Sequence, residues 1–124
     1  MPIIPQSDED YLKGRGFDYE IVPVAGEIHL TIRNWPFPPA YNPRSADLLI
    51  RIPATYPVNQ LDMFWTIPDV KLQGGGWPQA ADVHETHGGK NWQRWSRHTQ
   101  EWRVGIDNLR TFITSITVEI NRGI

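Results

Sequence analysis

The 124-residue sequence contains no cysteine. That absence excludes disulfides, thiolate metal sites, iron–sulfur clusters, redox thiols and any thioester formed on this chain. Neither sign of charge is in excess: twelve Lys and Arg against fourteen Asp and Glu give a formal net charge of -2. Such a chain offers no polycationic surface to a phosphate backbone, so no nucleic-acid partner is predicted. No apolar run approaches the roughly twenty residues that a membrane-spanning helix needs. The opening Met1-Pro-Ile-Ile-Pro-Gln-Ser-Asp-Glu-Asp10 lacks the basic and apolar regions of a signal peptide. A soluble, cytoplasmic protein without a membrane partner is the expectation. Against these absences, 40% of the residues are hydrophobic and fourteen are aromatic, which suffices for a packed core. The length fits one domain over residues 1–124.

Prolines and glycines divide the chain into a strand-like first half, an irregular middle and a periodic end. Ser7, followed by Asp8 and Glu9, is placed to cap a short N-terminal helix that Gly14 and Gly16 stop. Residues 17–24 and 27–34 read as a hairpin around a turn at 22–26. In the second of them Ile28, Leu30 and Ile32 share one face, and His29, Thr31 and Arg33 the other. Residues 35–43 carry four prolines and read as a loop; its aromatic and proline-rich surface leaves room for a partner interface around Trp35 to Tyr41, and the preferred reading is that Trp35 and Phe37 close one end of the sheet. Residues 46–52 and 63–67 complete four successive strands. Residues 69–91 show no sustained period, with Trp77, Trp92 and Trp95 as apolar anchors around them. At the end, Ile106, Leu109, Ile113, Ile116 and Ile120 recur at steps of three and four. Phe112, Thr114, Ile116, Val118 and Ile120 also fit a period of two, but length and the wider stripe favour a helix. The predicted class is α+β: a four-stranded antiparallel meander with a short N-terminal helix and a C-terminal helix.

Unusual residues concentrate in Asn91-Trp-Gln-Arg-Trp-Ser-Arg-His-Thr-Gln-Glu-Trp102. As a helix, this stretch puts Trp92, Trp95 and Trp102 on one face and pairs Arg97 with Glu101; the plainer role of the tryptophans is core packing. Ser96 and His98 form a nucleophile–base candidate, because a hydroxyl attacks only when a neighbouring imidazole accepts its proton. Two residues apart, they share a side on an extended or looped backbone and diverge on a helix. His84 and His87, with His98, raise a zinc question. The His-Glu-x-x-His pattern is absent, however, and solvated loop histidines are the simpler reading. Gly74-Gly-Gly76 matches no phosphate-cradling loop. No cofactor and no metal are predicted.

The order of parts resembles the ubiquitin-conjugating enzyme fold, and local words sharpen the likeness. Tyr56-Pro57, Phe64-Trp-Thr-Ile-Pro-Asp-Val70, Gly75-Gly-Trp-Pro78, Trp92-x-x-Trp-Ser-Arg-His98-x-x-x-Trp102 and Asp107-x-Leu-x-Thr-Phe-Ile113 are similar to a bacterial family, prokaryotic ubiquitin-conjugating family E. The resemblance spans about residues 8–122, with Trp-Ser-Arg-His its most specific word. It implies a bacterial ubiquitination-like pathway, associated with defence against phage, whose partners are an adenylating activating enzyme, a ubiquitin-like protein and an isopeptidase-like processing enzyme. Typical members of the wider superfamily carry the modifier on a cysteine, with a His-Pro-Asn motif upstream; this chain has neither. The resemblance leaves two roles. In one, Ser96 carries the modifier as an oxyester with His98 as proton acceptor or oxyanion partner, and Thr86 and Thr99 are reserve hydroxyls. In the other, the chain is a non-catalytic scaffold for the activating enzyme and modifier. Trp92, Trp95 and Arg97 are the partner-binding candidates.

Overall fold

Pairs of residues with positive φ reverse the chain at two points, and antiparallel strands run between them. The computed structural model describes residues 4–97 and 101–122. In chain order these form α1 (Gln6–Gly14), β1 (Tyr19–Val24), β2 (Glu27–Pro36), β3 (Tyr41–Asn42), β4 (Ser45–Ile52), β5 (Phe64–Ile67), β6 (Lys71–Leu72), β7 (Val83–His87), β8 (Lys90–Trp95) and α2 (Leu109–Asn121). Among the described residues, six strands make one sheet in the order β1-β2-β4-β5-β8-β7, and β3 pairs with β6 apart from it. Every neighbouring pair is antiparallel.

The four strands expected from alternation are β1, β2, β4 and β5, adjacent in that order, so the meander exists. The sheet is nevertheless larger than four strands. The β7–β8 hairpin lies where the sequence read as irregular or helical. Its turn is Gly88-Gly89, with φ of 58° and 80°, the geometry of a two-residue hairpin turn whose twist matches the flanking strands. Ala25-Gly26, with φ of 48° and 85°, makes the equivalent turn between β1 and β2. Pro23 falls inside β1, where a proline is tolerated because that strand is an edge. Trp35 and Pro36 are strand rather than loop: Asn34, at φ 56°, absorbs a register shift and β2 then continues against β4.

Each strand divides its side chains between two faces. Leu30 and Ile32 of β2, Leu48, Ile50 and Ile52 of β4, Phe64 of β5 and Trp95 of β8 face inward. They pack with Leu12 of α1 and with Leu109, Phe112, Ile113, Ile116 and Ile120 of α2. The opposite face holds a smaller cluster of Leu49, Trp65 and Trp92. Trp35, Phe37 and Tyr41 are buried in the inner core. The C-terminal segment is helical, as the wider stripe indicated. Ile106 precedes it and is 60% exposed, and Asn108 with Thr111 forms a reciprocal capping box. Ser7 does not cap α1; the cap position is Pro5, without a side-chain hydrogen bond, and Ser7 lies inside the helix.

One phenol ties both helices to the connection between β4 and β5. Tyr56 Oη donates to Asp8 Oδ2 of α1 and accepts the Leu109 N–H at the start of α2, at 2.7 Å. Burial pushes the Asp8 carboxyl up, against the hydrogen bonds from Tyr56 and Leu109. Tyr56→Phe keeps the ring but strips a buried carboxyl and a helix-start N–H of their shared partner. A loss of about 2 kcal/mol is expected from urea unfolding; a loss under a few tenths would mean that water replaces the hydroxyl.

Candidate functional site

Alternation along β8 decides what surrounds Ser96. Gln93 and Trp95 point inward and are fully buried, whereas Trp92 and Arg94 point to the other face. The Gln93 amide uses all its capacity. Its Oε1 accepts from Thr66 Oγ1 at 2.9 Å and from the Val70 N–H at 2.7 Å. Its Nε2 donates to the carbonyls of Val70 and Ala81, both at 2.9 Å. Thr66 in turn accepts from Trp95 Nε1 at 2.9 Å. The Trp95 ring is stacked between Phe64 and Phe37, with centroids 5.1 and 5.9 Å away.

Ser96 is the first residue beyond β8, half-buried, and its N–H donates to the Ala80 carbonyl at 2.9 Å. Ala80 sits at φ 55°, so the segment before β7 bends to meet it. Arg97 is 7% exposed. Its Nε donates to the Gln79 carbonyl at 3.1 Å, its Nη1 to the Glu119 carbonyl at 2.8 Å, and its guanidinium lies 5.1 Å from the Trp95 ring centroid. Glu119 belongs to the last turn of α2, where the helix dipole is negative and favours a cation. No carboxylate pairs with Arg97 among the described residues, and its buried Nη2 has no hydrogen-bond partner there.

The predicted site residues are therefore only partly assembled. Ser96 is held by its own backbone and by buried neighbours on both sides. His98 and Thr99 lie outside the described residues. Thr86, on β7, pairs with Asn91, five positions along from Ser96 or roughly 17 Å at strand rise, so it is not brought to the serine. Because 90–95 is a strand, Trp92 and Trp95 occupy opposite faces instead of one helical face. Trp102 packs elsewhere, donating to the Pro57 carbonyl at 2.9 Å. Arg97 bonds carbonyls rather than Glu101. Trp92, Trp95 and Arg97 expose 4%, 0% and 7% of their surface; Trp95 and Arg97 flank Ser96 in the chain, whereas Trp92 packs on the outer face with Leu49 and Trp65.

Strand geometry also separates the histidines. His84 and His87 are three apart on β7 and face opposite ways. His84 Nε2 meets Asp69 Oδ1 at 2.8 Å, beside the Trp77 ring. His87 Nε2 meets Glu85 Oε1 at 3.0 Å, edge-on to Trp65. No group of three ligating side chains able to hold a metal is present among the described residues. Glu85 is the hub of the outer face: it also accepts from Trp65 Nε1 at 2.9 Å and Arg94 Nη1 at 2.8 Å. Partial burial pushes its carboxyl up, but the bonds from His87, Trp65 and Arg94 outweigh this and hold it at about 2. Sequence reasoning missed Gln93, Thr66 and Glu85. Gly-Gly between two five- to six-residue segments was the available signal, since it fixes the register that makes Gln93 inward.

Comparison with protein-family models matches residues 4–123 to the family described as prokaryotic E2 family E. No curated protein and no solved structure matches the chain.

Gln93→Leu fills the same space but leaves the Val70 N–H and two carbonyls buried and unpaired. Chemical denaturation is expected to show a loss of about 3 kcal/mol, and a near-neutral result would show that the loop relaxes to other partners. Glu85 contributes stability that is complete above its ordinary value of 4.5 and is lost as the pH falls toward about 2. Glu85→Gln is expected to flatten the stability profile between those two values, and an unchanged slope would remove Glu85 from the acid response.

Proposed function

Because the chain belongs to prokaryotic E2 family E, and is thus a ubiquitin-conjugating-like component, we propose that Ser96 carries a ubiquitin-like protein as an oxyester. The family implies an E1-like activating enzyme and a ubiquitin-like protein as partners. Within this reading the pathway also includes an isopeptidase-like processing enzyme and serves defence against phage.

The observation that carries the proposal is the setting of Ser96. A half-buried serine follows directly on a fully buried strand end, with its N–H bonded to the Ala80 carbonyl and with Trp95 and Arg97 buried on either side. Reactive groups placed on a loop by a rigid scaffold are the common arrangement in enzymes. With no thiol in the chain, the hydroxyl is the nucleophile type that remains at this position. The step is an acyl transfer. Ser96 Oγ bonds to the carbonyl carbon of the modifier's C-terminal glycine, the bond from that carbon to the activating enzyme's leaving group breaks, and the hydroxyl proton passes to a base. His98 is proposed as that base. An acceptor nucleophile then attacks the ester carbonyl and Ser96 Oγ departs with a proton.

One observation favours the second reading, a non-catalytic adaptor: among the described residues no side chain is hydrogen-bonded to the Ser96 hydroxyl. Intact mass separates the two. With ATP, activating enzyme and modifier, the wild type is expected to gain one modifier mass that Ser96→Ala lacks. That adduct should resist thiol reductants and yield to alkali, whereas the Ser96→Cys adduct should yield to thiols. A stable complex without a covalent gain in either protein would establish the adaptor.

A further inference from the structure

The two edges of the six-stranded sheet differ in what they offer. Hydrogen bonds of an antiparallel pair alternate, so every second residue of an edge strand directs its N–H and C=O away from the sheet. A two-residue hairpin turn makes the flanking residues a hydrogen-bonded pair. In β1 that pair is Val24 with Glu27, which turns Tyr19, Ile21 and Pro23 outward. Pro23 has no N–H, so that edge is interrupted. In β7 the flanking pair is His87 with Lys90, which turns His84 and Thr86 outward. No proline interrupts this strand, and among the described residues no further strand pairs with it and no hydrogen bond outside the β7–β8 ladder reaches the backbone of His84 or Thr86. Two N–H and two C=O groups are thus presented in strand geometry on the side of the sheet that leads to Ser96.

We propose that the free edge of β7 is the docking track for the extended C-terminal tail of the ubiquitin-like protein, added as a further antiparallel strand through His84 and Thr86. This rests on the reading of the chain as a ubiquitin-conjugating-like carrier, and it names how the modifier is presented. Direction follows from the chain itself. β7 runs away from Ala80, and the Ala80 carbonyl already holds the Ser96 N–H. A tail antiparallel to β7 enters beside His87 and ends beside residue 80, which brings its terminal carbonyl to the serine's end of the sheet. A tail parallel to β7 ends at the Gly88-Gly89 turn, the wrong end. Recognition by main-chain bonds suits a segment ending in glycine, which has no side chain to read. A second copy of this chain is the poorer occupant. Pairing two β7 strands through their His84 and Thr86 groups sets Glu85 directly against Glu85 of the other copy, and like charges across a strand pair oppose association.

The test uses the intact Ser96→Ala protein, so that no ester forms, with amide hydrogen exchange at His84 and Thr86. Adding the ubiquitin-like protein is expected to slow both amides about tenfold, and a form lacking its C-terminal tail to leave them unchanged. Thr86→Pro deletes one outward N–H while leaving the inward ladder to β8 intact. It is expected to weaken modifier binding about tenfold without changing the β8 amides. Binding without protection of His84 and Thr86, or no binding at all, overturns the proposal. So does protection that depends on protein concentration in the absence of modifier, which would assign the edge to a second copy. Protection in Ser96→Ala together with no covalent adduct on the wild type would keep the track and remove Ser96 as carrier. An adduct without protection would do the reverse.

Discussion

A single buried amide determines how the C-terminal half of the sheet is joined to its loops. Gln93 spends both lone pairs and both N–H groups on Thr66, Val70 and Ala81. It therefore holds the end of β5, the chain leading into β6 and the chain leading into β7 against one point of β8. In a region of fully buried groups, each of these bonds matters chiefly because its absence would strand a desolvated partner. Trp95 extends the same network through Thr66 and fills the space between Phe64 and Phe37. Ser96 inherits its position from this arrangement.

The two faces of the sheet are stabilised differently. The inner face buries aliphatic and aromatic side chains against both helices. On the outer face Leu49, Trp65 and Trp92 are covered by charged side chains laid across them: Arg51 lies over the Trp65 ring at 5.3 Å and Arg94 is paired to Glu85. Glu27 makes a similar junction between Arg51 and His29. Long charged side chains can shield apolar surface while keeping their heads near water. Tryptophans that look like a binding surface in the sequence are therefore enclosed.

Family membership and the absence of cysteine together narrow the chemistry of the chain. A thioester on this protein is excluded by composition, so a role in modifier transfer is carried by a hydroxyl or by non-covalent presentation. Arg97 adds a constraint on the serine's loop: a buried guanidinium anchored on the Gln79 and Glu119 carbonyls links it to the last turn of α2. Beside that loop, β7 forms an edge of the sheet with no further strand paired to it among the described residues.

Alternation and turn residues were enough to read β1, β2, β4 and β5 with nearly their observed bounds, and the step of three and four was enough to read α2. The missing thiol was also plain, and so was the family likeness carried by Trp-Ser-Arg-His. Those features are local: they depend on period, on residues that permit or forbid a backbone conformation, and on composition. The β7–β8 hairpin was less legible because His84 to His87 is polar on both faces and Val83 alone is apolar, so its alternation carries no hydrophobic signal although Gly88-Gly89 marks the turn. Which face receives Trp92 and which Trp95, that Gln93 rather than either tryptophan organises the site, and that His84 and His87 diverge were decided only by the tertiary structure. The role of the amide depends on hydrogen-bond partners more than ten residues away, Thr66, Val70 and Ala81, as the place of His84 depends on Asp69, and no local pattern in a sequence specifies contacts of that range.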